Sequence, residues 1–333
     1  MSTKTTIIPF NHYHIAGSAS LLITRHQSTC LAYPFLSNLT PENAEIIIQA
    51  LWEKPHTIGV VAIQNNSVVG YLLGSETFDD LRGRTAWTYQ AGYALADGQS
   101  TELYRDMYAE LAQVWVAHGV FDHYILALAH DRALVDTWFS LGFGHQQAHG
   151  VLSLTNYTAT KSITEDIIIR RIQAGDEAIL RSLSITTAGY QTQSPVFAPA
   201  PPEYLLELQD GYAGLLNDDE CTMWLAERDG EVLGFQGYFT VEDDTTALTH
   251  PKHCIELGIA GTVGDSRGSG IGTALTQHGL NYMKEQGYTY CITDWRVTNL
   301  LSSKFWGSRI GFTPVVYRLE RRIDPRISWA KAW

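Results

Sequence analysis

The sequence is poor in basic residues and in long apolar runs, and each shortage excludes a class of protein. Its 333 residues include 23 Lys and Arg against 35 Asp and Glu, and the net charge of -12 argues against nucleic acid or an anionic membrane as the main partner. No apolar run reaches the length of a membrane span. The N-terminus shows no signal-peptide pattern, so we expect a cytoplasmic protein.

Cysteine is scarce as well, and histidine is present without a metal pattern. The cysteines lack a C-x-x-C pair and the density of a secreted disulfide scaffold, which predicts reduced, buried thiols at Cys30, Cys221, Cys254 and Cys291. The 12 histidines include close pairs, but none is joined to cysteine or carboxylate at a zinc spacing. We therefore predict no metal site.

Length and composition predict two globular domains. A chain of 333 residues exceeds the size at which single cores usually stop growing, and its 45% hydrophobic and 17% charged residues are ordinary for a soluble protein. A polar, Thr-rich stretch at 156–166 has no helical or strand period and is interpreted as a linker between domains at 1–155 and 167–333. The acidic run Glu242-Asp243-Asp244 is interpreted as a solvated loop.

The second half of the chain repeats the order of elements of the first half. Each half contains a hairpin, predicted at the tight-turn pairs Asn65-Asn66 and Asp229-Gly230. In the second half a helix is predicted around residues 177–183 before the hairpin. Two pairs of similar segments support the repeat. Residues 66–71 resemble residues 230–235, and residues 138–143 resemble residues 306–312, which contain one extra residue.

Three glycines at alternate positions form the most distinctive stretch. Gly268, Gly270 and Gly272 follow a strand-length apolar run, residues 254–260, and begin a helical run. Glycines at such a turn let the backbone approach a ligand and direct amides to one centre, and the helix N-terminus adds positive potential. With Arg267 beside them, they predict a phosphate or diphosphate site.

The corresponding stretch of the first half lacks these features. Residues 95–101 contain a single glycine, no arginine, and an aspartate, Asp97, that would repel a phosphate. The sequence therefore predicts an anion site in the second half and none in the first.

The context of the glycine turn points to a known family. The series of hairpin, strand, Arg267-Gly-Ser-Gly-Ile-Gly272, helix, strand, helix and Gly311-Phe312 resembles the GNAT superfamily of N-acetyltransferases, whose signature is an R/Q-x-x-G-x-G/A turn. The resemblance covers residues 166–323 well and the first half as a degenerate copy. It implies an α/β (α+β) protein of two GNAT-like domains, each a mixed, mostly antiparallel sheet flanked by helices, with acetyl-CoA as co-substrate.

The resemblance also implies cofactor contacts. The turn amides would hold the pyrophosphate, while Thr262 and Val263 would pair with the pantetheine arm and face the thioester oxygen. Asn299 stands where the superfamily often has an asparagine that contacts the cofactor, although a helix N-cap before Leu300 is an equally natural role. The implied cofactor-binding residues are Thr262, Val263, Arg267, Gly268, Ser269, Gly270, Ile271, Gly272, Asn299 and Phe305.

Acetyl transfer requires a neutral amine, and two carboxylates are catalytic candidates. We predict Glu256 as the general base, because residues 256, 258, 260 and 262 of a regular strand share the face that carries Thr262. The alternative is a half-exposed strand carboxylate without a catalytic role. Asp294, at the end of the next strand, would attract a cationic substrate or hold Arg296.

One departure from the family concerns the leaving thiolate. Phe305 and Trp306 stand where the superfamily often has a tyrosine, and neither ring donates a proton as a phenol does. Either the thiolate leaves without that acid, or Tyr317, Tyr288 or Ser303 serves.

Together these features predict an acetyl-CoA-dependent N-acetyltransferase that acts on a small amine by direct attack. The first domain would then shape the acceptor cleft or act as a scaffold. A non-catalytic acyl-CoA sensor and a protein N-acetyltransferase are the alternatives. The acceptor, the acyl chain length and the choice between monomer and homodimer stay open.

Overall fold

The computed structural model describes residues 4–158, 166–241 and 247–330, and the chain forms two compact units. The first unit comprises Met1–Ala148, Asp244–His250 and Val315–Trp333, and the second comprises His149–Asp243 and Pro251–Pro314. Most of the predicted linker and the predicted acidic loop lie outside the described residues.

The units are discontinuous in sequence because the last strand belongs to the first unit. Strand β13 (Thr313–Arg322) pairs antiparallel with β6 (Asp122–Leu128), from Val316 opposite Leu128 to Arg322 opposite Asp122. The other division falls within β7 (Gly144–Ser153). The domain limits 1–155 and 167–333 remain a prediction.

A mixed, mostly antiparallel sheet forms the centre of the first unit. Its remaining strands are β1 (Thr6–Pro9), β2 (Thr57–Gln64), β3 (Ser67–Asp79), β4 (Gly83–Thr88) and β5 (Tyr93–Leu95). The strand order is β1-β2-β3-β4-β6-β13, with β5 paired to β3. β4 and β6 run parallel, whereas β1–β2, β2–β3, β3–β4 and β3–β5 are antiparallel.

Four helices cover this sheet in the described part of the first unit: α1 (Ile15–Ala32), α2 (Pro41–Glu53), α3 (Glu102–Ala117) and α4 (Arg132–Ser140). Buried side chains of α1 and α2, such as Leu22 and Ile48, form one core with Val61 and Leu73 of the sheet. Removing these apolar side chains from water contributes roughly 1.5–3 kcal/mol each.

The second unit has the same kind of sheet. Its strands are β8 (Ile168–Arg171), β9 (Cys221–Arg228), β10 (Glu231–Thr240), β11 (Cys254–Thr262) and β12 (Tyr290–Arg296), and they lie in the order β12-β11-β10-β9-β8. β11 and β12 run parallel, and the other three pairs are antiparallel. The predicted fold class is thereby confirmed in both units.

Helices lie on both faces of the second sheet. On one face are α5 (Glu177–Gln191) and α6 (Pro202–Gly214), whose Leu180, Leu183 and Tyr212 share a core with Met223 and Phe235. On the other face lies α7 (Ile271–Glu285), which packs closely on Gly234 of β10. After β12 come α8 (Leu300–Ser303) and a π-helix, Lys304–Ile310.

Both predicted hairpins are confirmed, and the two central residues of each turn have the positive φ that such turns require. Asn65 and Asn66 have φ values of 50° and 61°, and Asp229 and Gly230 have φ values of 51° and 82°. Two successive residues at positive φ match the twist of antiparallel strands, which is why Asn, Asp and Gly occupy them.

Candidate functional site

The glycine turn connects β11 to α7 and leaves the N-terminus of α7 open. Gly268 and Gly270 have φ values of 84° and 95°, which a side-chain-bearing residue adopts only at a cost. Gly270 is the N-cap of α7, and no side chain caps the helix. Since the first amides of a helix lack intrahelical acceptors, those of Ile271, Gly272 and Thr273 are available to an anion.

A cavity of about 410 Å³ lies beside this turn, within the second unit. Seven of the ten predicted cofactor-binding residues line it: Thr262, Arg267, Gly268, Gly270, Gly272, Asn299 and Phe305. The sequence missed a further group from α5, β10, α8 and the π-helix, of which the polar members are Thr186, Thr187, Tyr190, Gln236, Ser302, Lys304 and Arg309.

The other three predicted residues support the turn rather than line the cavity. The Val263 amide donates to the Leu233 carbonyl at 2.9 Å, so that amide is already engaged with the sheet. The Ser269 hydroxyl donates to the Ser266 carbonyl at 2.6 Å. The Ile271 side chain is buried against Gly234, where an added Cβ would lie 2.9 Å from it.

Arg267 contacts α5, a helix that is longer than the sequence predicted. Its guanidinium lies 4.4 Å from the ring centroid of Tyr190, near the C-terminal end of α5. The predicted helix stopped at residue 183, whereas α5 continues to Gln191 through Thr186 and Thr187. Threonine and glycine lower helix propensity in this segment, and packing against the sheet overrides it.

The predicted N-cap role of Asn299 is confirmed, and its contact with a cofactor stays a prediction. Its Oδ1 accepts from the Ser302 amide at 3.2 Å, which makes it the N-cap of α8. The residue also lines the cavity and is 8% exposed. The cap fixes the side chain, and its amide nitrogen is the group suited to donate toward a ligand.

The extra residue noted in the sequence is accommodated by the π-helix. The Gly311 amide donates to the Trp306 carbonyl, five residues earlier, at 3.1 Å. Phe305 packs against the first turn of α7, with its Cζ 3.7 Å from the position of a Cβ on Gly272. Trp306 is buried and contacts Phe312 edge to face. Phe305 and Trp306 both line the cavity.

A β-bulge overturns the predicted face of Glu256. Phe239 pairs with Glu256 and Gly237 pairs with Ile259, so Gly258 is an extra residue on β11. Beyond this bulge the alternation of side chains along β11 shifts by one residue. Thr262 pairs with Gly234 and therefore lies on the face toward α7. Glu256 pairs with Phe239 and lies, with Ile259, on the opposite face toward α5 and α6. The prediction that residues 256 and 262 share a face is therefore wrong.

Glu256 and Asp294 lie on adjacent parallel strands. Glu256 pairs with Ile292 in the register, two residues before Asp294 on the same face of β12. Burial raises the pKa of Glu256, and the negative charge of Asp294 raises this pKa further. Both side chains are half-buried. A carboxylate that holds its proton more tightly is better matched to accept one from an ammonium group.

A buried polar chain fixes the first turn of α7 to β10. The Tyr238 hydroxyl donates to Gln236 Oε1 at 3.0 Å, Gln236 Nε2 donates to Thr276 Oγ1 at 2.6 Å, and Thr276 Oγ1 donates to the Gly272 carbonyl at 2.7 Å. Gln236 also lines the cavity. Satisfied networks of this kind restrict movement, so the chain holds the amides of the glycine turn in place.

None of the three suggested replacements for the acid lines this cavity. Tyr288 precedes β12, at the opposite end of the strand from Asp294. Ser303 lies on α8 between two lining residues, and Tyr317 belongs to the first unit, where it contacts His145. Tyr190 is the tyrosine among the lining residues.

In the first unit a larger, buried side chain stands at a position equivalent to one that lines this cavity. Gly70 pairs with Leu95 as Gly234 pairs with Thr262, so Tyr93 corresponds to the cavity-lining Ala260. The buried Tyr93 hydroxyl donates to the Leu126 carbonyl at 3.0 Å and accepts from the Leu128 amide at 3.2 Å. These bonds bridge β5 to β6.

The helix contacts at this position also correspond. Arg25 of α1 donates to the Tyr93 carbonyl and lies 4.4 Å from the centroid of its ring, whereas Thr187 of α5 donates to the Ala260 carbonyl at 3.2 Å. Larger side chains in the first unit thus occupy the space that smaller ones leave open in the second.

The described part of the chain contains no cluster of three metal-ligating side chains. Across residues 4–158, 166–241 and 247–330, none of the helices has the length and apolar character to cross a membrane. Of the four cysteines, Cys221, Cys254 and Cys291 are buried and Cys30 is partly exposed.

Comparison with known proteins gives a family for the second half. Residues 187–312 match the model of the Acetyltransferase (GNAT) family. A GCN5-related N-acetyltransferase from Sphaerobacter thermophilus has a similar structure, with a TM-score of 0.61 and 13% identity over 96% of each chain. A tandem GNAT protein from the clavulanic acid biosynthesis pathway has a TM-score of 0.52 and 14% identity over 97% of this chain and 99% of that one. Comparison with curated proteins finds no match.

Proposed function

We propose that the protein is an acetyl-CoA-dependent N-acetyltransferase that acts on a small amine, because residues 187–312 match the Acetyltransferase (GNAT) family model. The observation that carries the proposal is the uncapped N-terminus of α7, which opens on a cavity beside Arg267. Backbone amides and a guanidinium suit a pyrophosphate, and the apolar walls suit the arm that follows it.

The donors and walls of the cavity fit coenzyme A group by group. The amides of Ile271, Gly272 and Thr273 and the side chain of Arg267 would hold the pyrophosphate. Thr262 at the end of β11 and Asn299 on the opposite side would contact the pantetheine arm, and Phe305 would pack beside it. When bound, acetyl-CoA supplies an activated thioester carbonyl to the acceptor.

Glu256 would accept the proton of the acceptor ammonium in this proposal, directly or through water. It lies on the α5 and α6 face of the sheet and is not among the residues that line the cavity, so the proposal requires the amine to approach from that face. The negative charge of Asp294 raises the pKa of Glu256 and would also attract a cationic acceptor. Direct attack of the neutral amine then needs no covalent enzyme intermediate.

Calorimetric titration of the purified protein with coenzyme A tests the proposal. We expect binding, and we expect Arg267→Glu to weaken it at least about tenfold, because a charge-assisted contact is replaced by repulsion. Lys252→Glu is the matched control, since Lys252 is exposed and is not among the residues that line the cavity. Absence of binding to the wild-type protein, or unchanged binding by Arg267→Glu, would refute the cofactor site.

A non-catalytic acyl-CoA sensor is the second candidate, and Phe305 is the observation that favours it. A phenylalanine at this position supplies no proton to a leaving thiolate. Release of free thiol from acetyl-CoA, measured across a panel of small amines and a peptide N-terminus, distinguishes the candidates. Turnover with a small amine supports the enzyme, turnover with the peptide alone supports a protein N-acetyltransferase, and coenzyme A binding without turnover supports the sensor.

A further inference from the structure

Two cations on the π-helix face the cavity and have no role in the site described so far. Lys304 and Arg309 both line the cavity, and both residues are exposed. Among the described residues, no carboxylate forms an ion pair with either side chain. In a chain with 35 acidic residues and a net charge of -12, two unpaired cations at one opening create a local positive potential.

The π-helix is the reason that both cations face the same way. In an α-helix with 3.6 residues per turn, positions five apart point about 140° away from each other. The hydrogen bonds of a π-helix connect residues five apart, and such positions therefore lie above one another. Lys304 and Arg309 are five apart and span the π-helix, so the wider turn brings both to the cavity.

The first unit shows the same segment without this arrangement. The segment similar to residues 306–312 is 138–143, which is one residue shorter and begins in the last turn of α4, an ordinary α-helix that ends at Ser140. The π-helix is thus present in the unit with the open glycine turn, whereas the shorter α4 belongs to the unit in which Tyr93 fills the equivalent position. This difference associates the extra residue with the ligand rather than with the fold.

We propose that Lys304 and Arg309 form a second anion subsite that binds the 3′-phosphate on the ribose of coenzyme A. The proposal rests on the proposed function, in which the glycine turn and Arg267 hold the pyrophosphate. Coenzyme A carries a third phosphate, separate from the other two, and a second group of cations at the same cavity suits it. The Lys304 ammonium and the Arg309 guanidinium each donate charge-assisted hydrogen bonds to phosphate oxygens.

The alternative is that Lys304 and Arg309 bind the pyrophosphate. In that case they would contribute equally to the binding of two ligands that differ only in the 3′-phosphate. Coenzyme A and 3′-dephospho-coenzyme A form such a pair. Calorimetric titration of the full-length protein with each ligand therefore tests the assignment through binding and needs no acceptor.

We expect wild-type protein to bind coenzyme A at least about tenfold more tightly than the dephospho form, since two partly exposed charge contacts are involved. Lys304→Gln and Arg309→Gln should each weaken coenzyme A binding about fivefold and leave the affinity for the dephospho form unchanged. The double variant should bind both ligands alike. Lys252→Gln, which removes one exposed positive charge away from the cavity, should retain the wild-type preference.

Each contrary result has one meaning. Equal wild-type affinity for the two ligands overturns the subsite but leaves the proposed function intact, because both ligands still bind through the pyrophosphate. Equal weakening of both ligands by the variants assigns the two cations to the pyrophosphate and also overturns the subsite. Failure of wild-type protein to bind either ligand contradicts the proposed function itself. The wild-type comparison can overturn the subsite even if one variant does not fold, and the other single variant then tests the assignment to these cations.

Discussion

At the scale of single residues, the electrostatic setting of Glu256 is more informative than its place in the sequence. Glu256 was predicted because it was expected to share a face of the strand with Thr262, but the bulge at Gly258 places the two residues on opposite faces. Its position across from β12 and near Asp294 supports the same role on a different face. The sequence shows a glycine at residue 258, but a strand glycine signals a bulge only in some cases, so the shift in register was beyond prediction.

We predict that Glu256 and Asp294 control the acid side of the pH-activity profile. A base accepts a proton only when it is itself unprotonated, so activity should rise with pH through the raised pKa of Glu256, above its ordinary value of 4.5. Asp294→Asn removes one of the two causes of the rise and should move this limb to lower pH. Glu256→Gln should lower kcat about 100-fold or more and abolish the limb.

Urea denaturation distinguishes a loss of catalysis in Glu256→Gln from a loss of folded protein. The folded chain holds the Glu256 proton more tightly than the unfolded chain, so the resulting stabilisation is fully present below the unfolded pKa and is lost as pH rises through the folded one. Glu256→Gln should therefore unfold at no lower urea concentration than wild type at pH 8. Glu231→Gln, at an exposed position on β10, is the control that should leave kcat unchanged. An acid limb that stays in place in Asp294→Asn would contradict the coupling.

At the scale of elements, hairpins and glycine turns were predictable, and the helix ends that complete the cavity were not. Asn65-Asn66 and Asp229-Gly230 demand positive φ, and such local backbone chemistry is visible in sequence. The last two turns of α5, with Thr187 and Tyr190, depend on packing against the sheet, which sequence does not display. The extra residue near Gly311 was visible, but its accommodation as a π-helix required the structure.

The backbone of the glycine turn gives a prediction about α7. Gly270 has a φ of 95°, and an added Cβ would meet nothing within 4 Å, so Gly270→Ala tests backbone conformation alone. We expect the unfolding free energy to fall by roughly 1–2 kcal/mol, because an L-residue resists the left-handed region. Coenzyme A binding should weaken in parallel, since the turn amides lose their common direction.

The matched change lies within a regular helix. Gly211 of α6 has no atom within 4 Å of an added Cβ, and its backbone is helical. Gly211→Ala should therefore stabilise the protein, by up to about 1 kcal/mol, and leave coenzyme A affinity unchanged. Urea denaturation and calorimetry measure both quantities. Equal stability effects at the two positions would show that the positive φ of Gly270 is not maintained in solution.

At the scale of the whole molecule, the chain repeats a fold but differs between its units in what fills the equivalent space. The repeat was visible from two short echoes, and the loss of the glycine turn from the first half was visible too. The role of Tyr93 in the first unit was not visible in the sequence, because Tyr93 has the pattern of an ordinary strand residue. Its hydroxyl bridges to Leu126 and Leu128 only in the folded structure.

We predict that each chain binds one coenzyme A, in its second unit. Titration of wild-type protein should give a stoichiometry of one ligand per chain. Tyr93→Phe removes the hydroxyl partner of the Leu128 amide and should lower the unfolding free energy by about 1–3 kcal/mol, because a buried donor loses its acceptor. The same variant should keep the wild-type affinity and stoichiometry, since its effect is confined to the first unit. Two ligands per wild-type chain, or a loss of coenzyme A binding in Tyr93→Phe, would show that the first unit takes part in holding the cofactor.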